Sequence, residues 1–388
     1  MGSESIVFSI FLIFSGAAVI SSFALLTRQP LIVGYIVLGG LFGPFGLDLV
    51  SDSKILEQIS HIGIIFLLFL LGLDLQPRNF GKLIGRSAFV TITSGVILCV
   101  LGTLICRQFQ FSWLESGLIG ISLMFSSTII GIKLLPTTML HHKHTGEVLI
   151  AILLIQDILA IITLILLSGT DHIGDVGAWL GVGISLPGLL IGARYTVRWI
   201  ILPLLTRFDR FHEYIFLLAI GWCLGVAELA QALGLSLEIG AFIAGISLAN
   251  SPIAQYIATN LKPLRDFFLI LFFFSIGAGF NLGLIEQIWL PSILITALVL
   301  VLKPVLHAKL LSVTGESKSL SWEAGFRLGQ TSEFSLLIAF IASAQGLIGV
   351  VAAHVIQATA ILTFLISTYI VVFRFPTPIA ISDRLRRD

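Results

Sequence analysis

Gln156 and Asp157 lie side by side in "LLIQDILAI", and between Val148 and Leu167 the only other polar side chain is Thr163. An aspartate at the centre of a membrane helix costs about 2.5–3.5 kcal/mol on insertion scales. A carboxylate kept from bulk water is stabilised by holding a proton or a metal cation, and a water-filled cavity opening to each side in turn would let it carry either across. The bland alternative is a structural aspartate hydrogen-bonded to a neighbouring helix. Ser127 and Thr128, in "MFSSTIIG", are candidates to lend hydroxyl or carbonyl oxygens to a dehydrated cation, since hard cations take oxygen ligands. Gln156 adds an amide beside the carboxylate.

Lys303, in "LVLVLKPVLHAKL", is the only Lys or Arg placed deep within an apolar run. One reading has it snorkelling to the inner surface; the sharper one makes it a counter-ion that pairs with Asp157 when no cation is bound. Pro304 beside it removes a helix hydrogen bond and is expected to bend the segment. Glu333, in "GQTSEFSLL", follows Gln330, Thr331 and Ser332 on another interrupted apolar run. It is expected to serve, with Gln330 and Ser126, as support for a broken helix rather than as an ion ligand. A site with one carboxylate carries one proton or one monovalent cation at a time, which implies near-electroneutral exchange.

These residues need a membrane around them. The chain has 388 residues, of which 57% are hydrophobic and only 11% charged, and its mean hydropathy is +1.06. A soluble chain is typically about 25% charged, so this is an integral membrane protein. The three cysteines, Cys99, Cys106 and Cys223, match no metal-ligand spacing and suggest no disulfide framework. "MGSES" has no basic residue ahead of the first apolar run, which argues for a retained helix rather than a cleaved leader. Neither a cofactor nor a nucleic-acid partner is expected.

A helix needs roughly 20 apolar residues to cross about 30 Å of hydrocarbon. About thirteen runs qualify, near 5–26, 31–46, 55–73, 83–106, 114–135, 146–168, 176–203, 213–232, 236–250, 264–281, 289–311, 322–344 and 347–373. With the N-terminus outside and the runs alternating, 19 of the 22 Lys and Arg residues fall inside, against Lys54 and Arg107 outside and Lys303 within a span. That asymmetry is what the positive-inside rule predicts, and it sets the topology as N-terminus outside and C-terminus cytoplasmic. An odd total lets six helices, a linker helix and six more form inverted repeats, the plan of many secondary transporters. The fifth and twelfth runs, fifth of each half, carry the polar interruptions "MFSSTIIG" and "RLGQTSEFS". The expected fold class is therefore all-α, with crossed broken helices in the core.

Other features read blandly. "HHKH" (His141, His142, His144) reads as a solvated loop cluster, Asp74 and Glu147 as inner helix ends, and Glu238 as a first-turn carboxylate suited to the helix dipole. "FFLILFFFSIG" reads as lipid- or partner-facing packing.

The chain resembles the monovalent cation:proton antiporter-2 family, and within it the potassium-efflux branch that includes glutathione-gated bacterial systems and plant relatives. The resemblance covers most of the chain and rests on "GYIVLGGLFGP", "GIIFLLFLLGLDL", "SSTIIGIKLL", "LIQDILAI", "GLSLEIGAFIAGISLANSP", "FFFSIGAGFNL" and "GQTSEFSLL" in that order. It implies a thirteen-helix sodium/proton antiporter-like fold, a homodimer, a dimerisation scaffold interleaved with a core that moves like an elevator, and crossed broken fifth and twelfth helices. It also implies that Asp157 is the ion-binding carboxylate, that Gln156 stands where sodium-type relatives have Asn or Asp, and that Lys303 is the basic residue of the eleventh helix. The Gln-Asp pair resembles potassium-selective members. The efflux systems usually continue into a nucleotide-binding domain with a Gly-rich fingerprint; here the apolar domain 5–373 is followed by a short tail, 374–388, ending "ISDRLRRD" without G-x-G-x-x-G. Gating through such a domain is not expected unless a separate soluble subunit supplies it.

The expectation is a K⁺/H⁺ antiporter in the cell membrane, with Na⁺/H⁺ exchange as its nearest competitor. A channel is disfavoured by the lack of a T-V-G-Y-G filter signature. An intramembrane aspartyl protease would need two aspartates sharing a site, and His61, His307 and His354 are too scattered to suggest a metal enzyme. Segments near 1–110 and 176–290 are expected to form the scaffold, and those near 111–168 and 289–373 most of the core.

Overall fold

The computed structural model describes residues 6–50, 53–74, 81–136, 144–168, 176–208, 210–249, 251 and 253–378. His141, His142, the acidic loop at 170–175, the first five residues and the tail from 379 lie outside the described residues, as does the side chain of Asp74. The described residues are helical almost throughout: α1 (Ile6–Leu26), α2 (Leu31–Phe42), α3 (Ser53–Asp74), α4 (Gly81–Gln108), α5 (Trp113–Ser122), α6 (Thr128–Lys133), α7 (His144–Ser168) and α8 (Val176–Thr196). A π-helical turn (Val197–Ile201) leads to α9 (Leu202–Arg207), followed by α10 (His212–Ala232), α11 (Leu237–Ala249), α12 (Ala254–Ala278), α13 (Ile285–Val313), α14 (Lys318–Arg327), α15 (Glu333–Ala344) and α16 (Val350–Arg374). Taking α5 with α6, α8 with α9, and α14 with α15 as interrupted segments gives thirteen among the described residues, the number of apolar runs.

Two segments differ from their expected bounds. The tenth begins at Ala254 rather than near 264, so Lys262, Pro263 and Arg265 stand on α12. The eleventh, Ile285–Val313, runs as one helix with both Pro291 and Pro304 inside it. Seven described helices are long and apolar enough to span a membrane unaided, while Leu31–Phe42, Leu237–Ala249 and Glu333–Ala344 are shorter apolar helices. Twelve residues of α-helix rise only about 18 Å, so the shorter ones rely on the residues flanking them to complete a crossing.

The chain divides into two compact units. The first comprises residues 1–15, 39–79 and 165–279. Its core is aliphatic and aromatic: Phe66, Phe69 and Leu73 of α3, Val197 of the π-turn, Cys223 and Val226 of α10, Ala241 and Leu248 of α11, and Ile257 of α12. The helices approach closely enough that a Cβ on Gly245 would overlap the Phe69 carbonyl oxygen. Pro203 has no N–H to offer the turn before it, which accounts for the widened winding at Val197–Ile201. The Phe-rich run is a correction: Phe272, Phe273 and Phe274 are buried rather than lipid-facing, and Phe268 stacks on Phe66 at 5.0 Å.

The second unit comprises residues 16–38, 80–164 and 280–388. It contains α4, which was expected in the scaffold, together with α5, α6, most of α7 and α13 to α16. Val90 of α4 packs with Leu149, Ile152 and Leu153 of α7, Leu311 of α13, and Ala324 and Leu328 around α14. At its edge, the His144 ring lies within hydrogen-bond distance of Glu147 at 3.2 Å and Glu316 at 3.0 Å, with half its side chain exposed.

Candidate functional site

The two interrupted segments of the second unit, α5 with α6 and α14 with α15, break where hydroxyl residues offer a cap. Ser112 and Glu115 form a capping box that starts α5. After α5 the chain runs non-helically from Leu123 to Ser127, and the Ser127 side chain accepts the Ile130 N–H at 3.1 Å to start α6. In the second break, Leu328 to Ser332, the Ser332 side chain accepts the Phe334 N–H at 3.1 Å and starts α15. Every helix end exposes unpaired N–H or C=O groups, so two breaks inside one unit create four such ends.

The two breaks meet. The Ser127 N–H donates to the Thr331 carbonyl at 2.9 Å, and the Ser126 hydroxyl donates to the Leu328 carbonyl at 2.9 Å. Gln330 Nε2 reaches the Ser127 carbonyl at 3.5 Å, and the Ser335 hydroxyl donates to the Ser122 carbonyl at 2.6 Å. These bonds join stretches some 200 positions apart and make the crossed broken helices one object.

Lys303 sits under the crossing. Its ammonium donates to the carbonyls of Leu123 at 3.1 Å, Phe125 at 2.6 Å and Gln330 at 2.9 Å. The first two close the α5 end and the third lies just beyond α14, so one fully buried cation neutralises both carbonyl ends. This differs from the expected pairing with Asp157. All three N–H donors go to backbone carbonyls, and among the described residues no ion pair joins Lys303 to an acid. Neither does it snorkel. The next turn of α13 follows suit, with His307 Nδ1 donating to the Lys303 carbonyl at 2.9 Å.

The acids gather at the opposite, N–H ends. Asp157 on α7 is 4% exposed, and the hydroxyl of Thr128, first residue of α6, lies 3.1 and 3.0 Å from its two carboxylate oxygens. A hydroxyl has one proton, so it serves one oxygen at a time. Among the described residues Thr128 is the hydrogen-bond donor that reaches this carboxylate. Gln156 accepts the Ser126 N–H through Oε1 at 3.0 Å, tying α7 to the first break, while its buried Nε2 has no partner. Glu333, first residue of α15, is also buried.

The structure thus brings Ser126, Ser127, Thr128, Gln156, Asp157, Lys303, Gln330 and Glu333 together within one unit. Ser127 caps α6 with its hydroxyl rather than directing it at Asp157. Two contributors went unread in the sequence. Thr363 Oγ1 lies 2.9 Å from Thr331 Oγ1, and the Ser367 hydroxyl donates to Gln330 Oε1 at 3.0 Å. Their signal is a Thr359–Thr363–Ser367 stripe at four-residue spacing along α16.

Comparison with known proteins bears directly on this arrangement. The family model described as sodium/hydrogen exchanger, transmembrane, matches residues 10–377. The chain belongs to the sodium/hydrogen exchanger family. It is accordingly a multi-pass membrane protein that exchanges a monovalent cation for protons, a transporter rather than an enzyme. Its fold is similar to that of the sodium proton antiporter MjNhaP1 from Methanocaldococcus jannaschii at pH 8, with a TM-score of 0.68 at 16% identity over 94% of this chain and 95% of that one. An electron-microscopy structure of the same protein gives a TM-score of 0.67 at 16% identity, covering 95% and 96%. At this identity the likeness establishes the exchanger's fold.

Proposed function

We propose that this exchanger trades K⁺ for H⁺ by alternating access, with Asp157 holding the cation in one half of the cycle and a proton in the other. The observation that carries this reading is a buried carboxylate supplied with a single hydroxyl proton from Thr128. Such a group is far from satisfied, and a dehydrated alkali cation or a proton supplies what it lacks. Thr128, Gln156 and backbone oxygens of the first break complete the coordination; Lys303, Ser126 and Gln330 hold the breaks in register. The unit that contains the crossing is the moving, elevator-like part, and the first unit forms the homodimer scaffold. The N-terminus faces outside and the C-terminus the cytoplasm. The likeness of the Gln-Asp pair to potassium-efflux relatives supports K⁺.

A second reading has Na⁺ as the cation, and its support is the family itself together with the name of MjNhaP1. The purified protein in liposomes, loaded with a pH-sensitive dye and challenged with K⁺, Na⁺, Rb⁺ or Li⁺, separates the two. K⁺ should drive the largest proton movement; a response to Na⁺ with none to K⁺ would transfer the assignment to sodium. Asp157→Asn should abolish proton movement with every cation, and wild-type exchange in that variant would end the proposal.

A further inference from the structure

Thr128 donates to Asp157 and is the first residue of α6, so the placement of this six-residue helix decides how well the hydroxyl reaches the carboxylate. One end of α6 is fixed at the crossing, where the Ser127 N–H donates to the Thr331 carbonyl. The other end, about 9 Å along the helix axis, closes at Leu134. Lys303 does not reach it, since its bonds go to Leu123, Phe125 and Gln330. Arg327 does. This last residue of α14 is 2% exposed and donates from Nη1 to the Leu134 carbonyl at 2.9 Å.

The same guanidinium holds two further groups. Nε and Nη2 donate to Glu323 Oε1, one turn back on α14, at 3.0 and 2.8 Å. Nη2 also donates to the Pro376 carbonyl, just beyond α16, at 2.7 Å. Glu323 balances the charge, as a buried arginine requires. Two arginine–phenylalanine contacts close the joint from opposite sides. Arg327 lies 5.8 Å from the Phe375 ring centroid, Arg374 of α16 lies 5.2 Å from that of Phe326 on α14, and the two rings are 5.8 Å apart. A planar fork serves partners in three directions at once, a geometry that the single ammonium of a lysine does not offer.

Building on the antiport reading, we infer that Arg327 is a positioning residue for cation exchange: by tying the far end of α6 to α14 and to the chain leaving α16, it holds the Thr128 hydroxyl against Asp157 and so sets the affinity for the cation. Its own bonds go to Glu323, Leu134 and Pro376, so it acts through α6 rather than on the cation. Its removal therefore weakens binding only while Thr128 has a hydroxyl to place.

Proton movement in liposomes containing the full chain, followed over a range of K⁺ and, in parallel, Na⁺ concentrations, separates affinity from rate. Arg327→Gln should raise the half-saturating cation concentration roughly three- to tenfold, with a smaller effect on the maximal rate. Arg327→Lys should fall between Arg327→Gln and wild type. The double variant Thr128→Val/Arg327→Gln tests the route: it should bind the cation no more weakly than Thr128→Val alone, because the group that Arg327 positions is gone. Unchanged half-saturation in Arg327→Gln, even with a lowered Tm, overturns the inference, as does a double variant whose loss is the product of the two single losses. If Arg327→Gln does not fold, Arg327→Lys is judged by the same two comparisons. An inactive Asp157→Asn beside unchanged affinity in Arg327→Gln would sink this inference only, whereas an active Asp157→Asn would sink the antiport reading beneath it.

Discussion

Thr128 and Lys303 show how much a single side chain settles in a site without bulk water. Thr128 gives its only proton to Asp157, so Thr128→Val removes the donor that favours the ionised carboxylate and leaves the proton to compete better with the cation. Apparent cation affinity should fall roughly tenfold, about 1.4 kcal/mol, while Thr128→Ser stays near wild type. Isothermal titration with K⁺ and Na⁺ reads this directly. Lys303→Met would leave the carbonyls of Leu123, Phe125 and Gln330 without their donor. Each stranded buried acceptor costs about 1–3 kcal/mol, so a fall in unfolding stability of about 3 kcal/mol or more is expected, visible as a lower Tm in detergent. A lysine serving only as partner to Asp157 would not stabilise both helix breaks, and unchanged stability in Lys303→Met would refute the bracing role.

At the scale of elements, the breaks rather than the helices carry the function. Each is short, ends on a serine side-chain cap, and acquires its partners from the other. Close packing around them leaves little room: a Cβ on Gly325 would overlap the Pro304 carbonyl oxygen, one residue after Lys303. Gly325→Val should therefore force α14 away from α13, costing about 1–3 kcal/mol, with transport falling at least as steeply as Tm. Ser367→Ala tests the same joint more gently. It removes the hydrogen bond to Gln330 Oε1, worth about 1 kcal/mol, and should slow exchange while leaving the chain folded on gel filtration.

For the whole molecule, charge distribution makes the prediction. Nineteen of 22 Lys and Arg residues fall on one side when the segments alternate from an external N-terminus. Gln108, at the end of α4, and Ser319, in the first turn of α14, are exposed and assigned to opposite sides. Single cysteines there, in a background lacking Cys99, Cys106 and Cys223, should differ in intact cells: Gln108→Cys reacts with a membrane-impermeant maleimide from outside and Ser319→Cys only after permeabilisation. The reverse pattern would invert the topology.

Thirteen segments, the membrane setting and the buried place of Asp157 were legible in the amino-acid order because the cost of placing residues in hydrocarbon is local and nearly additive along the chain. The short helices and the charged start of α12 shifted boundaries, since there the helix continues past the apolar stretch that marks it. Tertiary structure alone decided the partners. Ser126 meets Leu328 across 202 positions of chain, and no pattern near either residue announces the other. That meeting hands Lys303 three carbonyls in place of a carboxylate. In a medium without water, a charged group's role is set by which charges and dipoles surround it, and only folding determines that.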